Sequence, residues 1–205
     1  MLGLEGGIGI YVYRVTVGGT TWTVAVRLDS DVPAVLIDYG VNVPGRVINS
    51  ALAEADTAGL GEVTVCGATY PLEISVTFPG DDLVLRGMGR ATFLDGDALT
   101  TGNNAIVMVG RADCVVRDLA IQTEDGGGKL CDCISITDAE NFRVEAVWVL
   151  ASDAEGIAVW GSSTGKIVEC TIHDCDFDGI VASDCGIRIE SNWCFNNDSV
   201  GVMVT

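Results

Sequence analysis

The chain has 205 residues, of which 48% are hydrophobic and 26 are glycine, a composition that indicates one folded domain and excludes a disordered chain. Its 29 acidic and 11 basic residues give a net charge of −18, which argues against a nucleic-acid partner and against attraction to anionic lipid. No apolar stretch is long enough to span a membrane, and residues 1–10 lack the basic and apolar regions of a classical signal peptide.

Residues 1–42 are predicted to form a strand and hairpin lead-in. Residues 8–17 and 20–27 alternate between apolar and polar side chains, and the two glycines between them are a hairpin signal. Residues 43–60 follow as a predicted helix, which we expect to cover the open end of the strands that come after it. The apolar stripe of this helix consists of Val47, Ile48, Ala51, Leu52 and Ala55.

Residues 61–205 contain an internal repeat. The segments CISI, GIAV, GIVA and GVMV recur at an almost constant interval, since they begin at positions 133, 156, 179 and 201. A related segment, AIVM, begins at position 105, and the glycine-rich stretch 124–129 accounts for the longer interval that follows it. Because each segment alternates, two apolar side chains per segment face inwards. These pairs are Ile106/Met108, Ile134/Ile136, Ile157/Val159, Ile180/Ala182 and Val202/Val204.

A second repeating strand lies between these segments, at positions 115–121, 142–149, 166–172 and 187–195. One strand–turn–strand–turn unit cannot bury its own apolar face, so the units must stack, with neighbouring coils ~4.8 Å apart. We therefore predict an all-β fold, a parallel β-helix solenoid of about six coils, with an N-terminal β-hairpin region and a capping α-helix.

Three segments carry a family resemblance: VINSAL at 47–52, GEVTV at 61–65 and LVLRGMGR at 83–90. They resemble the capping helix and first strands of the pectate-lyase-like superfamily of right-handed parallel β-helix proteins. The resemblance implies a right-handed solenoid, and the lead-in before it is similar to those of viral tailspikes and surface fibres. The superfamily also includes lyases, hydrolases and epimerases, so the resemblance leaves the activity open.

A column of acidic residues recurs with the coil period, since Asp132, Glu155 and Asp178 each directly precede one of the repeat segments. Stacked carboxylates repel by about 1 kcal/mol in water and by roughly 3 kcal/mol at an effective dielectric of ~20. They therefore need solvent, a proton or a cation. Turn residues that bond to backbone amides are one interpretation, and the three carboxylates as calcium ligands are another.

A second acidic column contains Asp153, Asp176 and Asp198, which recur with the same period. Together with Asp178, the first two are candidate catalytic acids of a polysaccharide lyase or glycoside hydrolase. His173, the only histidine, is a further catalytic candidate as a base.

The signatures of two enzyme groups in this superfamily are incomplete. AVWV at 146–149 resembles a pectate lyase strand that continues into an Asp-His pair, but Leu150-Ala151 follow here. Arg188-Ile189-Glu190 resembles a polygalacturonase signature in which a lysine stands at the last position. Neither active site is carried over, which favours a non-enzymatic module.

The eight cysteines lie mostly in or beside apolar runs. Their even number is compatible with disulfides, but a chain of this length does not need them, and we expect free buried thiols. Cys170, His173 and Cys175, or Cys131 and Cys133, match no common zinc spacing. We predict no cofactor, with calcium as the open alternative.

The outward positions of the first repeating strand carry no charge, whereas those of the second include Arg117, Arg143, Glu145 and Arg188. An uncharged sheet face is expected to be covered by a subunit, a loop or a ligand. Homotrimers of the tailspike kind would provide such a cover. The uncharged positions are Val107/Val109, Ser135/Thr137, Ala158/Trp160, Val181/Ser183 and Met203/Thr205.

Two tryptophans, Trp148 and Trp160, are predicted to point outwards and are candidate sugar-stacking residues. Residues 201–205 begin a coil without a following cap, which indicates a piece of a longer chain or a covered end. The sequence thus favours a structural or adhesion module of a viral or cell-surface fibre, with a polysaccharide as ligand. Its expected location is the virion or the extracellular surface, and the alternative is a polysaccharide lyase or glycoside hydrolase.

Overall fold

A computed structural model describes residues 8–29, 32–123 and 128–205 of the chain. The glycine-rich stretch 124–129 therefore lies mostly outside the described residues. The N-terminal strands β1, β2 and β3 span Gly9–Val17, Thr20–Asp29 and Val32–Val41, and helix α1 spans Pro44–Ala58.

The lead-in is a three-stranded antiparallel sheet rather than a simple hairpin. β1 pairs with β2 from Gly9↔Leu28 to Val17↔Thr20, and Gly18 and Gly19 turn the chain with φ of 59° and 82°, angles that favour glycine. β3 pairs with β2 and was not predicted. The sequence obscures it because Pro33 interrupts the strand pattern, yet a proline is tolerated in an edge strand.

Helix α1 is confirmed, with the whole predicted apolar stripe at 0% exposure. Pro44 occupies the first turn, and the left-handed Gly59 (φ 64°) ends the helix. The carboxylate of Glu73 accepts hydrogen bonds from the backbone N–H groups of Gly45 and Arg46, at 2.9 and 2.8 Å. These bonds satisfy two of the donors at the helix N-terminus. The helix packs against β1–β3 and against the first strands of the solenoid. It therefore covers the N-terminal end of the solenoid.

The solenoid has three faces. The first face is a six-stranded parallel sheet in the order β6, β8, β10, β12, β15, β18. Its strands are Val76–Thr77, Ile106–Val109, Ile134–Thr137, Ile157–Trp160, Ile180–Ala182 and Val202–Val204.

The second and third faces belong to one larger sheet, which continues into β1, β2 and β3 through the parallel pairing of β1 with β4. The second face contains β4, β13, β16 and the first parts of β7, β9 and β11; the third contains β5, β14, β17 and the last parts of the same three long strands. The short strands are Glu62–Val65, Ala68–Pro71, Thr164–Val168, Thr171–His173, Gly186–Glu190 and Trp193–Phe195; the long ones are Val84–Asp95, Val115–Gln122 and Phe142–Ala151.

A corner with left-handed backbone separates the second face from the third. Asp118, Ala146, Glu169 and Ser191 occupy it in successive coils, with φ of 56°, 49°, 56° and 56°. The sequence predicted single strands at 166–172 and 187–195, and this was wrong: each is divided in two at the corner.

The predicted inward pairs form continuous columns. All of these side chains from Ile106 to Ala182 are completely buried. In the last coil, Val202 and Val204 remain 44% and 66% exposed. All eight cysteines are free and five are buried, so they pack as small apolar side chains. Within the described ranges, no helix is long and apolar enough to cross a membrane.

Candidate functional site

The first acidic column lies in the turn that leads into the first face. Backbone hydrogen bonds place Asp132, Glu155 and Asp178 in the same position of three successive coils. Asp132 Oδ1 accepts the backbone N–H of Glu155 at 3.3 Å, and Asp178 Oδ1 accepts that of Val200 at 3.0 Å. Both aspartates therefore bond to the coil that follows them, as expected of turn residues.

The two aspartates of this column are shielded from solvent. Asp132 and Asp178 are only 9% and 6% exposed. Burial, followed by the neighbouring Glu155 carboxyl, raises the pKa of Asp132 from its ordinary value to about 8. Asp132 therefore keeps its proton to a higher pH than an ordinary aspartate does, and a proton there relieves the repulsion between stacked carboxylates. Nowhere in the described part of the chain do three or more acidic, histidine or cysteine side chains come together as metal ligands.

The second acidic column divides between interior and surface. Asp153 is 1% exposed, whereas Asp176 and Asp198 are exposed. The carboxylate that contacts His173 is that of Asp174, its neighbour in the chain. The structure therefore does not assemble the predicted catalytic residues around one point.

His173 belongs instead to a cluster on the third face. Its Nδ1 lies 2.7 Å from a carboxylate oxygen of Asp174, and its ring stacks on Phe195 with centroids 4.8 Å apart and planes at 22°. Trp193, 67% exposed, lies 5.0 Å from Phe195 between ring centroids. The cluster therefore presents aromatic surface beside a carboxylate that can accept hydrogen bonds.

Trp148 and Trp160 lie on different faces. Trp160 ends β12 on the first face and is 38% exposed. Trp148 lies in β11 on the third face, where it is half-buried and pairs with Thr171, which in turn pairs with Trp193. The two candidates thus do not form one site.

The aromatic row is a line of residues in register along the third face, and the sequence revealed only one of its members. Register places five residues in line on successive coils: Phe93, Ala120, Trp148, Thr171 and Trp193. Aromatic rings alternate with small side chains, so the rings are two coils, or ~10 Å, apart. Trp148 and Trp193 are separated in the sequence by two repeat lengths. This spacing was the signal that could have placed them in one row.

The outward face of the first sheet is partly covered by the chain itself. Ala158 and Val181 are 0% and 4% exposed, although both occupy predicted outward positions. Val109, Trp160 and Met203 remain 54%, 38% and 37% exposed. The chain itself thus covers part of the uncharged face, and Val109, Trp160 and Met203 mark the part that stays open.

Comparison with known families identifies the family to which the repeat belongs. A family model described as "Right handed beta helix region" matches residues 77–205, more than half of the chain. The chain belongs to this right-handed β-helix family. Together with the solved structures below, the match confirms the pectate-lyase-like superfamily and the predicted all-β solenoid. No curated protein matches the chain.

Solved structures share the fold at low sequence identity. The A-module of the mannuronan C-5 epimerase AlgE4 from Azotobacter vinelandii is 19% identical, with a TM-score of 0.55 over 79% of this chain and 49% of the module. ORF18 of Geobacillus virus E2 is 18% identical, with a TM-score of 0.58 over 75% of this chain and 34% of that protein. The chain thus spans about half of the first protein's length and a third of the second's, and the likeness is one of fold.

Proposed function

We propose that this chain is a polysaccharide-binding β-helix module that holds a linear glycan along the aromatic row. The observation that carries the proposal is the alignment of Phe93, Trp148 and Trp193 on alternate coils. A sugar ring has an apolar face that stacks on an aromatic side chain, and aligned rings select an extended chain over a compact ligand. Thr171 separates Trp148 from Trp193, whereas Ala120, between Phe93 and Trp148, is only 1% exposed.

Polar groups beside the row complete the proposed site. His173 ends β14 on the third face, where it pairs with Phe195, two residues along the strand from the Thr171–Trp193 pair. Asp174 follows it directly and contacts its ring. Gln122 lies on the same face and donates to Asp97 at 3.1 Å. Such groups exchange hydrogen bonds with sugar hydroxyls and fix the orientation of a glycan that stacking alone would leave free to slide.

Affinity electrophoresis tests this proposal. The wild type, Trp193→Ala and the matched control Trp160→Ala are run through gels that contain hydroxyethylcellulose, dextran or polygalacturonate. We expect at least one polysaccharide to retard the wild type and Trp160→Ala but not Trp193→Ala. Equal mobility of the three proteins in every gel would exclude the aromatic row as a glycan site.

The wider role that we propose is adhesion, within a fibre on a virion or an extracellular surface. The exposed apolar side chains of Val109 and Met203 support association of copies through the first face. Light scattering on the purified chain is expected to give the mass of a trimer. A monomeric mass across the micromolar concentration range would show that copies of the chain do not associate through the first face.

A polysaccharide lyase or hydrolase is the second candidate, and the stacked Asp132–Glu155 pair favours it. A carboxyl group whose pKa burial raises can donate a proton, which is the role of the general acid in glycoside hydrolysis. Release of reducing ends from the same three polysaccharides tests this activity. Loss of that release in Asp132→Asn would support an enzyme, and absence of release by the wild type would leave the binding function alone.

A further inference from the structure

A groove of about 520 Å³ lies on the second face, away from the aromatic row. Its lining includes Arg143, Lys166 and Arg188. Strand register places these three side chains directly in line, Arg143↔Lys166 and Lys166↔Arg188, on three successive coils. Three cations therefore lie at the coil spacing of ~4.8 Å in a chain whose net charge is −18.

Other basic residues on the second face are neutralised by carboxylates from neighbouring coils. Arg86 lies 3.6 Å from Glu62 and 3.6 Å from Asp118, and Arg117 lies 3.2 Å from Glu62. These pairs cross between coils, so they hold the coils together as well as balancing charge. Positive and negative charges on the second face therefore balance near helix α1, whereas positive charge is in excess at the groove.

The basic groove has only partial compensation of its own. Arg143 pairs with Glu145 at 2.7 Å and Arg188 with Glu190 at 3.5 Å, in each case within the same strand. Lys166 makes no ion pair with any described residue, and Arg143 Nε is buried without a hydrogen-bond partner among them.

One acidic residue, Asp113, lines the groove as well, and it accepts a hydrogen bond from Asn141 Nδ2. It lies in the turn before β9, one coil away from Arg143. The line of cations therefore runs from Arg143 towards the C-terminal coils. At the Arg143 end it is bounded by the negative charge of Asp113.

We propose that this groove binds a linear polysaccharide that carries oxyanions, either uronate carboxylates or sulfate esters, one group to each coil. Like charges in a column repel, and an anion placed between them removes this repulsion. Arginine supplies paired N–H donors suited to carboxylate or sulfate oxygens, and lysine supplies a compact charge between the two arginines. This assignment goes beyond the proposed function because it gives a second face its own ligand chemistry.

The test is affinity electrophoresis at ~0.15 M salt, where the Debye length of about 8 Å screens long-range repulsion by the acidic surface. The gels contain polygalacturonate, dextran sulfate or neutral dextran. The proteins are the wild type, Lys166→Gln, Lys166→Gln/Arg188→Gln and the control Arg90→Gln. Arg90 is exposed on β7 and makes no ion pair with a described residue, so this control removes the same charge elsewhere.

We expect the wild type and Arg90→Gln to be retarded by a polyanion and not by neutral dextran. Lys166→Gln should weaken that binding at least fivefold, and the double variant should abolish it. Retardation by polygalacturonate alone identifies carboxylates as the ligand groups, and retardation by dextran sulfate alone identifies sulfates. Absence of retardation by both polyanions, or a double variant that behaves as the wild type, overturns the assignment.

The two proposals fail separately. If Lys166 and Arg188 control binding to a polyanion while Trp193→Ala behaves as Trp160→Ala in every gel, the basic groove is retained and the aromatic row is not a glycan site. If Trp193 controls binding to a neutral polysaccharide and the double variant matches the wild type on both polyanions, the groove assignment alone falls.

Discussion

Asp132 Oδ1 accepts a hydrogen bond from the backbone N–H of Glu155, one coil further along the solenoid, at 3.3 Å. The carboxyl groups of the same two residues are neighbours, at a place where Asp132 is only 9% exposed. This arrangement explains why the acidic column is tolerated: a proton on Asp132 reduces its charge, and the backbone contact gives its oxygen a partner.

This relationship predicts an unusual pH dependence of stability. The pKa of Asp132 rises on folding from 3.8 to about 8, chiefly through burial. Between these values the folded state holds a proton that the unfolded state has released, so the free energy of unfolding falls as pH rises across this window. Asp132→Asn should therefore be more stable than the wild type near pH 9 by about 1–3 kcal/mol, and by much less near pH 4.

Urea unfolding at several pH values measures this difference. Asp176→Asn, which changes an exposed carboxylate of the other column, is the control and should follow the wild type. Parallel stability profiles for the wild type and Asp132→Asn would show that Asp132 titrates as an ordinary carboxyl group.

Helix α1 is expected to hold the N-terminal end of the core closed. Leu52 is completely buried beneath it, so Leu52→Ala should lower the free energy of unfolding by about 2–4 kcal/mol. Thr57→Ala, on the exposed side of the same helix, should change it by less than about 0.5 kcal/mol. Chemical denaturation of the two variants compares them, and similar small changes would mean that the helix is not part of the cooperative core.

Gly165 is required by the ring beneath it. A Cβ at this position would lie 2.3 Å from the carbonyl oxygen of Phe142 and 2.7 Å from its ring, and the φ of 154° disfavours other residues. Gly165→Ala should therefore destabilise the protein by about 2 kcal/mol or more. Gly186→Ala is the matched control because its Cβ would meet only a methyl group of Thr164, at 3.9 Å. Equal melting temperatures for the two variants would contradict this account of the packing.

The thiols should differ in reactivity according to burial. Burial raises the pKa of Cys133 and of Cys170 to about 12, whereas Cys185 is only half-buried. A thiolate is the reactive form, so a disulfide reagent at pH 8 should modify Cys185 in the native protein and leave Cys133 unmodified until unfolding. Mass spectrometry of the labelled peptides identifies the sites, and Cys185→Ser should lower the native label by one thiol, because Cys66 and Cys194 are half-buried as well. Rapid labelling of Cys133 would place it outside the core.

The repeat was readable because its inward residues recur once per coil, and alternation alone assigns them to the core. The division of 166–172 and 187–195 was not readable, since Glu169 and Ser191 are ordinary residues whose left-handed conformation comes from the stacking of corners. The aromatic row was hidden for the same reason. Phe93 joins it only after an irregular register in β7, and Trp193 was assigned to a single long strand.

The line of basic side chains in the groove could not be predicted from any one coil, because each coil contributes a single cation. Arg143 and Arg188 were recognised as outward residues, but Lys166 lies between them at the coil period and completes the line. The acidic columns had the same spacing and were found, yet their burial depended on turns whose packing the sequence does not encode locally.

The most direct test of glycan binding along the aromatic row is calorimetric titration with oligosaccharides of increasing length, using cello-oligosaccharides and oligogalacturonates. We expect that, for at least one series, affinity rises with length until a ligand spans Trp148 and Trp193, two coils or ~10 Å apart, and then rises again towards Phe93. Trp193→Ala should remove the first rise and Trp160→Ala should not. Affinity that is independent of length, or unaffected by Trp193→Ala, would contradict the account.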